Sequence, residues 1–170
     1  MEKDKDVLFR YDGVYNSARP GRFRMIYSLK RMVQPILHPA FASFALLLLR
    51  LVVGTAFVIH GSQKIQNPLA WMGPESPVPG FFQLLAAVSE FGGGIAWILG
   101  LLVPLASLGI GVTMMVAVSM HAMVLHDPFV NLTGGRSYEL ASAYLCIAVL
   151  LFFMGPGKFS LDAKIFGERR

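Results

Sequence analysis

The sequence predicts an all-α fold, a polytopic membrane four-helix bundle with a basic cytoplasmic N-terminal extension, on three observations. Of 170 residues 55% are hydrophobic and only 15% charged, and the mean hydropathy of +0.57 is above that of an ordinary soluble domain. Four apolar segments recur along the chain, at about 41–63, 81–102, 105–125 and 138–153. Lysine and arginine are unevenly spread: eight of fifteen fall within residues 1–40 and four more follow the last apolar run. That asymmetry marks cytoplasmic flanks. It also turns a pI near 9.6 into a topology signal instead of a nucleic-acid one.

Residues 1–40 form the extension. Residues 1–21 mix charge with Gly13, Pro20 and Gly21 and read as a tail that orders against a partner. Over 22–37, Met25, Ile26, Leu29, Met32, Val33 and Ile36 recur at helical spacing among Arg22, Arg24, Lys30 and Arg31. This pattern suits an interfacial helix on the inner leaflet, with a flexible basic tail as the alternative. Pro35 and Pro39 then punctuate the entry into the membrane. Charge throughout this region argues against a cleaved leader, so the N-terminus is expected to be retained.

The domain that follows, 41–166, holds the four spans. At 1.5 Å per residue, the first three cover about 30 Å, the thickness of the hydrocarbon core; the fourth is shorter. Val103 and Pro104 are the expected break between the second and third spans, making a tight helical hairpin. Four spans put both termini on one side, and the basic flanks make that side the cytoplasm, in a multi-pass protein of the cell inner membrane. Cys146 is the only cysteine. It excludes an internal disulfide or a CxxC pair and is expected to be a small core residue.

Ionisable residues inside spans are expensive and mark functional candidates. They are Arg50, His60 and Lys64 in the first span, Glu90 in the second, His121 in the third and Glu139 at the start of the fourth. Steps of about 100° place Arg50, Phe57, His60 and Lys64 within a stripe about 80° wide, expected to face inward. Comparable depth predicts a buried Arg50–Glu90 pair, with a structural role as the plainer alternative to a chemical one. His60, Lys64, His121 and Glu139 share a depth near the outer boundary and would form a polar pocket if the helices bring them together. His121 and His126 do not have the spacing of a same-face ligand pair, so no metal site is expected. Haem between His60 and His121 is disfavoured, because residue type alone supports it and no CxxCH allows covalent attachment. Gly92, Gly93 and Gly94 beside Glu90 allow close helix approach.

Three stretches, RLVVGTAFVIHGSQK (50–64), EFGGG (90–94) and MGPGKFSLD (154–162), give the chain a resemblance to the DoxX family of small four-span membrane proteins, over roughly 44–166. The resemblance implies a membrane component associated with electron transfer, since relatives are linked to thiosulfate:quinone oxidoreductase, terminal quinol oxidases and thiol-stress assemblies. It also carries over Arg50, His60, Lys64 and Glu90 as the family's polar positions.

Together these readings give a small integral-membrane subunit of a quinone-linked respiratory or sulfur-oxidising complex. Glu90 and His60 would take the proton or quinone contact, and Arg50, Lys64, His121 and Glu139 would line the substrate pocket. A quinone is the expected ligand, with no cofactor bound covalently. The lipid bilayer and other subunits are the expected partners. A non-catalytic accessory or assembly subunit is the alternative, since no cofactor fingerprint is present, and a small transporter is the third reading. The residues alone leave open whether the chain is itself an enzyme.

Overall fold

The computed structural model describes residues 34–167; the tail and most of the expected interfacial helix lie outside them. Four long helices carry the fold: α1 (Ala40–Lys64), α2 (Gly80–Leu99), α3 (Val103–Ser119) and α4 (Glu139–Met154). A short α5 (Leu161–Phe166) follows. The first two helices, and α3 extended through a π-helical turn at Met120–Val124, are long and apolar enough to cross a membrane, while α4 has 16 residues. No strand occurs among these elements. One end of the bundle, the near end, holds Pro39, Gly100, Met154 and α5, and loops 65–79 and 125–138 lie at the far end.

The helices pack in chain order, α1 on α2, α2 on α3 and α3 on α4. The core is apolar and centred on Phe57, Trp97 and Ile110, each nearly inaccessible. Phe57 meets Trp97 edge-on at 5.5 Å and Tyr144 at 4.9 Å, so one α1 ring ties α2 to α4. The Trp97 indole N–H donates to the Ser107 hydroxyl at 3.0 Å, which leaves no orphan donor in lipid-like surroundings.

Glycine decides the α1–α2 contact. A Cβ at Gly54 would stand 2.9 Å from the Gly94 carbonyl oxygen, one at Gly94 would stand 2.8 Å from that of Gly54, and one at Gly61 would reach 2.6 Å from Phe91 Cα. These neighbours are backbone, which cannot rotate aside. The run after Glu90 divides its roles as the helix turns: Gly94 meets α1, Gly93 meets Ile110 of α3, and Gly92 faces open space.

The hairpin breaks earlier than the Val103–Pro104 position the sequence suggests. Gly100 ends α2 in the left-handed region (φ 67), with its N–H and that of Leu101 returning to Trp97 and Ala96. Leu102 also has positive φ (48), and Pro104 sits inside the first turn of α3, where its missing N–H costs nothing. Residues 34–39 are not helical. They cross the near end, where Gln34 donates to the Phe166 carbonyl and His38 Nε2 to that of Met154, each at 2.8 Å. Cys146, expected in the core, is exposed on α4.

Neighbouring glycines should therefore respond oppositely to alanine. Gly94→Ala is expected to cost about 1–3 kcal/mol through backbone overpacking, and Gly92→Ala to be neutral or to gain up to about 1 kcal/mol of helix propensity. Melting of the two variants in detergent, followed by helical circular dichroism, checks this; equal shifts would contradict the packing.

Candidate functional site

Two ionic centres occupy opposite ends of the bundle. At the far end Lys64 Nζ donates to Glu90 Oε1 at 2.5 Å. Glu90 is buried and Lys64 half-buried, its ammonium 4.4 Å from the centre of the Trp71 ring. Trp71 belongs to the 65–79 loop, a chain of tight turns held onto the start of α2. Buried Gln83 makes that attachment: its Oε1 accepts from Met72 N–H at 3.0 Å, its Nε2 donates to the Val78 carbonyl at 2.8 Å, and its own carbonyl accepts the Trp71 indole N–H at 2.9 Å.

At the near end, Arg50 is wholly buried and donates through Nη2 to the Phe159 carbonyl at 2.6 Å. Its Nε and Nη1 find no partner among the described residues. The balancing charge is Asp162, also wholly buried and close enough to act on Arg50 electrostatically. Asp162 accepts the Leu102 N–H at 2.7 Å and the Val103 N–H at 3.0 Å, while its own N–H returns to the Gly100 carbonyl at 2.9 Å. One carboxylate thus holds the α2–α3 turn, including positive-φ Leu102, and supplies the negative charge that a helix N-terminus favours. Burial pushes the Asp162 carboxyl above the usual aspartate range, against the opposing pull of these two amides and Arg50. Gly100 closes the centre, because a Cβ there would collide with Arg50 Nη1.

The expected Arg50–Glu90 pair is therefore not formed, and helix polarity explains why. Side chains lean toward the N-terminus of their own helix. In the antiparallel α1–α2 pair Arg50 leans to the near end and Glu90 to the far end, so they part. Lys64 and Glu90 lean together. His60 lies at the edge of the predicted inward stripe, about 80° from Arg50, and is exposed; the buried face runs through Arg50, Gly54, Phe57 and Gly61.

His121 lies on the π-helical turn and donates from Nδ1 to the Asp127 carboxylate at 2.7 Å. The Asp127 N–H returns to the His121 carbonyl at 2.9 Å. Glu139 is exposed at the start of α4. Among the described residues no hydrogen bond or ion pair joins His60, His121 or Glu139 to Lys64, and no group of three or more His, Cys, Asp or Glu residues is arranged to hold a metal ion.

Residues 45–126 match the family model described as DoxX. A protein of Haemophilus influenzae, described as uncharacterized, is 32% identical over 131 residues, 76% of this chain and 93% of the relative. The chain belongs to the DoxX family. No solved structure matches.

The family match spans Arg50, Lys64, Gln83 and Glu90 and stops before Asp162. In this DoxX protein the contributions that sequence reasoning missed are those of Asp162, Trp71, Gln83 and Asp127. Gln83 had a signal, a polar side chain two residues into an apolar run. Asp162 stood at the end of the MGPGKFSLD stretch, but its role depends on α5 folding back under α3.

Asp162→Ala should lower stability by about 2–4 kcal/mol, through a lost helix cap and a buried cation left without its counter-charge. Arg50→Met should relieve part of that loss. A double-mutant melting cycle measures the coupling, and strictly additive shifts would show that the two residues act independently.

Proposed function

We propose that this chain is a small integral-membrane subunit of a quinone-linked electron-transfer complex, with its near end and both termini cytoplasmic. The observation that supports this reading is the Lys64–Glu90 ion pair at one end of an apolar bundle, with an indole against the ammonium. A quinone head group needs a hydrogen-bond donor for a carbonyl oxygen, a flat apolar surface for its ring, and a proton route for redox turnover. Lys64, Trp71 and Glu90 are chemically matched to those needs in that order. His60, exposed one turn from Lys64 on α1, flanks the approach from the membrane. Electrons would come from a redox group in another subunit, and this chain would bind the head group and move its proton.

A second reading, a non-catalytic accessory subunit, draws on Arg50 and Asp162. That centre acts on the chain's own backbone, as expected of a scaffold.

The test is photolabelling of the full chain in its native membrane with an azido-substituted benzoquinone. Label should concentrate on the peptides carrying Lys64 and Trp71 and fall several-fold in Lys64→Met. Glu90→Gln should lower quinone-linked electron transfer by about a hundredfold, the scale of a lost general base. Label spread evenly over lipid-facing helices, with unchanged electron transfer, would overturn the reading in favour of the accessory one.

A further inference from the structure

The Lys64–Glu90 pair is covered by the 65–79 loop, and the attachments of that loop converge on one residue. Besides the three hydrogen bonds at Gln83, two made by its side chain and one accepted from Trp71 by its backbone carbonyl, the loop is close to α2 at Gly80, where a Cβ would stand 2.7 Å from the Leu69 carbonyl oxygen. Its first residues continue from α1, with Gln66 Nε2 donating to the Ser62 carbonyl and Asn67 N–H to that of Lys64, and the rest is held by turns within itself: Ala70 to Asn67, Gly73 to Ala70 and Ser76 to Gly73. Displacing the segment from α2 would break the bonds to Gln83 and leave its internal turns intact. Gln83 is 3% exposed and lies in the first turn of α2, two turns from Glu90 on the same helix.

We propose that Gln83 is the positioning residue of a lid: it latches Trp71 over the Lys64–Glu90 pair, and the site opens by release of the 65–79 loop about that latch. Trp71 covers Lys64 in the closed state, and in the open one a planar head group enters between the ammonium and the indole, which remains its ring surface. This last step rests on the quinone reading above; the latch does not. Glutamine suits the role because it accepts from one strand of the loop and donates to the other through a single neutral side chain. Leucine would fill similar space and make neither bond.

The experiment measures access to Lys64 directly. The full chain in detergent is acetylated with a water-soluble succinimidyl acetate at constant pH, and modification is timed by mass spectrometry. Lys64 should react more slowly than exposed Lys158 in the unaltered protein. In Gln83→Leu its rate should rise about tenfold, as expected when two hydrogen bonds that close the lid are lost. Trp71→Ala should raise it similarly.

Hydrogen exchange separates a latch from general loosening: amides of 65–79 should exchange faster in Gln83→Leu, while those around Trp97 stay protected. An unchanged Lys64 rate, or exchange that rises equally throughout, would overturn the proposal. A short-chain benzoquinone is then added to Gln83→Leu. Slower Lys64 acetylation supports the quinone reading, and no effect counts against that reading alone, leaving the latch result standing.

Discussion

Helices α1 and α2 touch backbone to backbone at Gly54, Gly61 and Gly94, and the placement of the buried charge follows from that contact. Without side chains between them the helices have little freedom to slide or rotate, so each ionisable residue has a fixed set of neighbours. Antiparallel polarity then gives each side chain a direction. Arg50 is carried toward the near end and the Lys64–Glu90 pair is closed at the far one. A buried charge in an apolar bundle is costly without such compensation. The two centres are separate solutions to that one problem.

The centres differ in how they are closed. Around Arg50, the Phe159 carbonyl accepts from the guanidinium, and the Asp162 carboxylate nearby is held by amides of the α2–α3 turn. The segment is anchored several times over: Ser43 accepts the Lys158 N–H at 3.2 Å and Ser160 caps α5 by accepting from Ala163 N–H at 3.1 Å. Groups so strongly cross-linked have little room to rearrange. The Lys64–Glu90 pair has one aromatic cover, on a loop tied to α2 through the side chain and backbone carbonyl of Gln83. Loops of this kind, with few attachments, are the parts of a protein that open first. The near end is thus cross-linked to the backbone around it, and the far-end pair is covered by a single loop.

Much of the fold was legible in the sequence, because apolar runs of spanning length admit few structures in lipid other than helices. The candidate site was legible in part. Glu90 and Lys64 stood out as charges in apolar surroundings, yet the Arg50–Glu90 pairing inferred from depth failed. Depth says nothing of the direction in which a side chain leans. His60 failed for a related reason: a stripe about 80° wide is broad enough for its edge to leave the interior. His121 found Asp127 only because a π-helical turn and positive φ at His126 bring the chain back on itself.

The sequence by itself determined that this chain is an all-helical membrane protein with a small set of intramembrane charges, since composition and periodicity act locally and survive in any packing. Only the tertiary structure decided the partners. Lys64 with Glu90, Asp162 with the Leu102 and Val103 amides, and Gln83 with the loop around Trp71 are contacts between residues distant in sequence or separated by a loop path. Their geometry depends on where glycine lets helices meet and on which end of each helix its side chains face.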